Sequence, residues 1–178
     1  GQDTVLVQTG DLLDRGDDEQ RIIDFLDRLG AEARAEGGNV LELIGNHEAM
    51  NVQGDLRYVT PGGFEDFEDV EGLDLSDERL APLSPPLRAR RAAFLPGGPY
   101  ARKLAEHHTI GIVNDTVFAH GGVLPDHVTY GVDRINDEVR AWMIGDGLLP
   151  FIMQSQSAPT WTRHYSAPPP GEDPCPLL

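Results

Sequence analysis

The chain alternates short β-branched apolar runs with amphipathic stretches, and glycine-bounded polar loops join them. Residues 4–9 (TVLVQT) predict a short buried strand that runs into a turn at Gly10-Asp11. The next segment predicts a helix: Ile22, Leu26 and Leu29 recur at i, i+4 and i+7, and Ile23 widens the stripe. Asp17, Asp18 and Glu19 stand where the positive end of that helix favours carboxylates, and Gly37-Gly38 stops it. Residues 39–44 (NVLELI) predict a second strand entering Gly45-Asn46. Strand, helix and strand in that order predict a βαβ unit with parallel strands, whose functional loops gather at the carboxyl ends of the strands.

The pattern changes over residues 52–86, where Gly54, Pro61, Gly62 and Gly63 accompany Glu65, Asp66, Glu68, Asp69, Glu71, Asp74, Asp77 and Glu78. This predicts an acidic, solvated surface insertion with short helical pieces, and its spacing does not match a calcium loop of the EF-hand type. Pro85-Pro86 open a helix through Phe94, on which Arg88, Arg90 and Arg91 predict a solvated basic face; Pro96-Gly97-Gly98-Pro99 ends it. Residues 109–113 and 116–119 predict two strands joined at Asn114-Asp115, the second running into His120-Gly121-Gly122. Residues 132–143 predict a helix with Ile135, Val139 and Trp142 on one side, and residues 166–178, with five prolines, predict a loop.

Composition narrows the function classes. Apolar residues make up 39% of the 178, enough for a packed core. Thirty acidic against 14 basic residues leave a net charge of -16, which disfavours nucleic acid and anionic membrane surfaces as partners. No apolar run is long enough to span a bilayer. The single cysteine, Cys175, excludes an intrachain disulfide framework and fits a reducing compartment such as the cytoplasm. Nothing in the pattern assigns an oligomeric state.

Three loops carry the chemistry: Gly10-Asp11-Leu12-Leu13-Asp14-Arg15-Gly16, Gly45-Asn46-His47-Glu48, and His120-Gly121-Gly122. Taken singly, each has a structural reading. Asp11 or Asp14 could cap a helix, Asn46 could hold a turn, and His120 could be a satisfied buried histidine. Together, each follows a strand and sets metal-ligand or acid–base side chains between glycines. Carboxylate, amide oxygen and imidazole suit a manganese, iron or zinc site with mixed oxygen and nitrogen donors.

The sequence GDLLDRG, then GNHE, then a strand ending in HGG resembles the calcineurin-like metallophosphoesterases. The Asp14-Arg15-Gly16 and Asn46-His47-Glu48 wording resembles their phosphoprotein phosphatase branch. The longer stretches GNHEAMNVQGDLRYVTPGGF and FAHGGVLPDHVTYGVDRINDEVRAWM resemble its bacterial-type subgroup, the Shewanella-like phosphatases. The resemblance implies an α/β fold, a sandwich of two mixed β-sheets flanked by helices. It implies a pair of divalent ions bridged by Asp11, with Asn46 and His120 as further ligands. His47 becomes the general acid, Asp14 its orienting carboxylate, and Arg15 the grip on the phosphate beside Asn46. Arg163, in Trp161-Thr162-Arg163, is implied as a second phosphate-binding arginine, and Glu48 as a supporting residue. His107, His108, His127 and His164 are expected to be structural or exposed.

Members of that family also carry an earlier Gly-Asp-x-His-Gly loop and a late Gly-His-Thr histidine. Neither occurs here, so the chain is expected to be a partial catalytic domain over residues 1–178, incomplete at both ends and weak or inactive alone. The implied activity is hydrolysis of phosphoserine, phosphothreonine or phosphotyrosine in a phosphoprotein. The alternatives are a phosphorylated small molecule such as a dinucleotide polyphosphate, or a scaffold that binds phosphorylated partners without turnover.

Overall fold

The computed structural model describes residues 3–168, 170, 171 and 173; Cys175 and part of the proline-rich end lie outside the described residues. Strand β1 (Val5–Gln8) and strand β2 (Asn39–Glu42) pair in parallel, Val5 opposite Asn39, and helix α1 (Glu19–Ala35) crosses between them. Helix α2 (Asn46–Gln53) follows β2 directly. Two helices, α3 (Pro61–Glu65) and α4 (Pro85–Phe94), flank a 3-10 turn at Glu78–Leu80. After α5 (Pro99–Leu104), β3 (Ile110–Val113) and β4 (Thr116–Ala119) form an antiparallel hairpin whose turn residue Asn114 has φ +53°. Helices α6 (Pro125–Tyr130) and α7 (Val132–Ile144) follow. Among the described residues the two expected mixed sheets are thus a parallel pair and an antiparallel pair, bridged where Leu43 meets His108.

Three expectations change in detail. The buried face of α1 is Glu19, Ile23, Leu26 and Gly30, while Ile22 stays 41% exposed. Strand β1 is not buried: β2 is its only strand partner among the described residues, so Val5 and Leu6 remain 37% and 46% exposed. The arginines of α4 are not a solvated face. Arg90 is fully buried, Arg88 donates to the Leu80, Ala81 and Leu83 carbonyls, and Arg91 faces the Asn51, Val52 and Gln53 carbonyls at the end of α2. A cation there complements the negative helix end.

The acidic segment is anchored by buried apolar side chains, Phe67 and Leu80 above all. Most of its carboxylates are exposed, but Phe67 is fully buried and meets Phe94 and Tyr100 edge-on, with ring centroids 5.0 and 4.9 Å away. Asp66 accepts from the Gln20 amide of α1 at 2.9 Å. Asn136 of α7 accepts from Thr109 and Ile110 N–H at 2.9 and 3.0 Å, which docks α7 on the start of β3. Among the described residues no helix is long and apolar enough to cross a membrane.

At the end of β2, Glu42 and His107 lie 3.4 Å apart with side chains 12% and 5% exposed. Burial, helped by Asp27 and Glu106, pushes Glu42 up to about 7, and burial pushes His107 down to about 4. Between about pH 4.5 and 6.5 the folded pair holds its proton on Glu42 and the unfolded chain holds it on His107. The numbers of bound protons match, so the pair adds no pH dependence there. Glu42→Gln removes the compensation: the unfolded chain then binds the extra proton. Stability of that variant rises by roughly 3 kcal/mol from pH 4 to 6.5 relative to the parent, readable as urea midpoints across that range.

Candidate functional site

The three loops meet at the carboxyl ends of β1, β2 and β4. The first and second touch backbone to backbone: a Cβ on Gly10, which has φ +94°, would lie 2.6 Å from Gly45 Cα. Glycine is therefore required at the crossing. Asp11, Asp14 and Arg15 also have positive φ, at 60°, 71° and 59°. Such a backbone persists only where its surroundings hold it: Glu19 accepts from Asp14 N–H, the Tyr58 carbonyl from Arg15 N–H, and Glu48 holds Asp11. The Glu48 carboxylate is fully buried; Oε2 accepts from Asp11 and Gly45 N–H at 2.8 and 2.7 Å, and Oε1 from Leu12 and Leu13 N–H at 2.7 and 3.1 Å. Burial pushes the Glu48 carboxyl up, and the N–H groups of Asp11, Gly45 and Leu13 pull against it. The bond to Gly45 is the reach-back of a third-position glutamate to the helix cap of α2.

The loops bring Asp11, Asn46 and His120 together. His120 Nδ1 donates to Thr9 O at 2.8 Å, which leaves the Nε2 lone pair as the outward-facing atom. That Nε2 lies 3.3 Å from Asp11 Oδ2 and 3.0 Å from Asn46 Oδ1, both acceptors. Burial pushes Asp11 up, but the His120 bond, the His47 amide and both imidazoles together hold it below its ordinary value. The same bond raises His120 against its own desolvation. Three electron-pair donors converging on one another need a proton or a cation between them, and carboxylate, amide oxygen and imidazole fit a divalent ion. Among the described residues no three His, Cys, Asp or Glu side chains form such a group, so the third donor is the Asn46 amide.

Beside it stands a hydrogen-bonded chain. His47, 4% exposed in its side chain, donates from Nδ1 to Asp14 Oδ2 at 2.6 Å, and its Nε2 faces Asp11 Oδ2 at 4.0 Å. Asp14 Oδ1 accepts from Asn51 at 3.0 Å and from Arg90 at 3.2 Å. Arg90 also pairs with the buried Glu19, donates to Gly63 O at 2.7 Å and Asn51 Oδ1 at 3.0 Å, and lies over the Phe67 ring at 4.9 Å. Sequence reading missed Arg90 and Glu19 as parts of this network. The signal was present in helical spacing: Arg90 shares a face with Ala93 and Phe94, and Glu19 with Ile23 and Leu26.

Arg15 is exposed, and its guanidinium lies 4.9 Å over the Tyr58 ring, with no carboxylate partner among the described residues. Tyr58 in turn stacks on His47 with centroids 5.1 Å apart. Arg163 is not bonded to this group; it donates to the Trp161 and Thr162 carbonyls, both at 3.1 Å, on a segment stitched to the third loop. His127 accepts from Leu124 N–H at 3.0 Å and donates to Ser157 O at 2.8 Å, a structural role. His164 packs on Tyr165.

Comparison with known proteins follows the same lines. The family model described as calcineurin-like phosphoesterase matches residues 1–171. The chain is 38% identical to Shewanella-like protein phosphatase 2 of Arabidopsis thaliana over 195 aligned positions, covering 93% of this chain and 50% of that protein. A solved structure of a cold-active protein tyrosine phosphatase superposes with a TM-score of 0.69 at 25% identity, covering 93% of this chain and 47% of the other. Another, from a psychrophilic Shewanella species, gives 0.67 at 25% identity and covers 93% and 48%. The chain therefore spans about half the length of the relatives it matches.

Proposed function

The chain belongs to the calcineurin-like phosphoesterase family, and on that premise we propose that it carries the catalytic centre of a metal-dependent phosphomonoester hydrolase acting on phosphorylated serine, threonine or tyrosine in proteins. The observation that carries the reading is the His47–Asp14 hydrogen bond of 2.6 Å beside the converging Asp11, Asn46 and His120. Asp11, Asn46 and His120 would hold a divalent ion, manganese by preference, with iron or zinc as alternatives. The family resemblance implies a second such ion, for which Asp11 would also serve as a ligand. A bound ion supplies positive charge opposite the phosphoryl oxygens and makes water acidic enough to attack near neutral pH.

The chain's own groups do the rest. Asp14 takes the Nδ1 proton of His47 in a hydrogen bond, which fixes the ring and leaves Nε2 to give a proton to the departing oxygen. Arg15, stacked on Tyr58 and otherwise unpaired among the described residues, presents a planar fork to two phosphate oxygens. Asn46 adds an amide, and Arg163 stands as a second phosphate-binding arginine if its exposed guanidinium turns from its own backbone. Positive-φ backbone at Asp11, Asp14 and Arg15, gathered in one loop, supports the reading, since such strain clusters at functional sites.

Phosphate release tests the proposal. With manganese present, phosphoserine, phosphothreonine and phosphotyrosine peptides are expected to be hydrolysed in preference to a dinucleotide polyphosphate. Preference for the dinucleotide would move the assignment to a small-molecule phosphoesterase. Tight phosphopeptide binding without release would favour a scaffold.

A further inference from the structure

A cavity of about 320 Å³ adjoins the site and is not used by any role assigned above. One wall is Tyr58, tied to the phosphate-side loop by Arg15 N–H donating to its carbonyl at 3.2 Å and by its ring beneath the Arg15 guanidinium. Trp161, which also lines the cavity, belongs to the segment whose Pro159 carbonyl accepts from Gly121 and Gly122 N–H at 2.8 and 3.1 Å, directly after His120. The cavity's lining is thus tied to both the Arg15 loop and the His120 loop. Met50 and Met153 are its apolar buried contributions, and Gln53, Gln154 and Gln156 supply side-chain amides.

We propose that this cavity binds the polypeptide immediately flanking the phosphorylated residue, by side-chain amides against peptide backbone and by Trp161 and the methionines against a flanking side chain. The proposal rests on the phosphoprotein reading above and deepens it. Three features select this occupant. Amides both donate and accept, so they match a peptide backbone, which offers both groups at every residue. Methionine gives an adaptable apolar wall suited to varied side chains. The one cation lining the cavity, Arg57, pairs with Asp55 at 2.7 and 2.8 Å, and that carboxylate, itself in the lining, disfavours a polyphosphate chain there. Among the described residues the Gln53 and Gln156 side chains are exposed and make no hydrogen bond within the fold, so replacing them leaves the fold intact.

The test is fluorescence anisotropy of a labelled peptide carrying a non-hydrolysable phosphonate analogue of phosphotyrosine on the manganese-loaded chain, with inorganic phosphate binding measured in parallel. The double variant Gln53→Ala with Gln156→Ala is expected to weaken the peptide about 5- to 20-fold, as for two lost hydrogen bonds, and to leave inorganic phosphate unchanged. Arg15→Ala is expected to weaken both. Unchanged peptide affinity in the double variant overturns the cavity's role while phosphate binding still supports the phosphoesterase reading. Equal loss of peptide and phosphate also overturns it, because the effect is then structural. An adenine nucleotide that displaces the peptide in the parent but not in the double variant overturns it in favour of a nucleotide. If the parent binds neither peptide nor phosphate, the phosphoesterase reading itself falls, and the cavity proposal with it.

Discussion

Arg90→Ala lowers the stability of the folded chain by about 3–5 kcal/mol, the cost of removing one partner from a buried ion pair. Arg90 is fully buried and is the shared donor to Asp14, Glu19, Asn51 and the Gly63 carbonyl. Without it two carboxylates with side chains at 0% and 1% exposure face each other unneutralised. The aromatic rings of Phe67 and Phe94 lose the guanidinium that lies over them as well. Lysine recovers only part of the loss, because an ammonium cannot reproduce the fork that serves several acceptors at once. Urea unfolding followed by circular dichroism reads the effect. A midpoint within error of the parent would mean that Asp14 and Glu19 find another cation, or take up protons at little cost.

His47→Ala lowers turnover by about 10²- to 10⁴-fold, the range for losing a positioned general acid. The loss is expected to be unequal. An activated aryl phosphate needs little help from a proton donor, whereas a serine or threonine alkoxide needs it most, so the phosphoserine peptide suffers more than p-nitrophenyl phosphate. A variant that merely misfolds slows both alike. The buried position of His47, held by Asp14 and packed on Tyr58, makes this comparison necessary: some fold damage is expected from the cavity alone. Equal loss on both substrates at unchanged stability would remove His47 from the acid role.

The sequence exposed the site's loops more readily than its support. Glycine-bounded Asp11-Asp14-Arg15, Asn46-His47-Glu48 and His120 stand out because metal and acid–base chemistry needs those types in tight turns. The parallel β1–β2 pair, the β3–β4 hairpin and α7 follow from alternation, a turn signal at Asn114-Asp115, and the spacing of Ile135, Val139 and Trp142. Arg90 was hidden because arginine is seldom fully buried, and three arginines within four residues read as a wet face. Its partners Glu19, Asp14 and Asn51 lie 71, 76 and 39 positions away, so helical spacing marks Arg90 and Glu19 as inward-facing but does not announce their pairing. Phe67 was hidden the same way, one aromatic within a run of carboxylates. Glu48 was legible as a supporting residue, yet its four N–H partners come from two loops that meet only on folding.

The most direct test of the account is manganese-dependent hydrolysis of p-nitrophenyl phosphate by the chain beside Asp11→Asn. Asp11 is the group on which the Asn46–His120 ligand set and the His47 amide converge, through Oδ2 to His120 at 3.3 Å and Oδ1 to His47 N–H at 3.1 Å. With the family's first and last metal loops absent from this sequence, the account predicts slow turnover that requires manganese in the parent and is lost in Asp11→Asn, with both proteins folded by circular dichroism. Turnover that ignores manganese, or that survives in Asp11→Asn at the parent's rate, would contradict it.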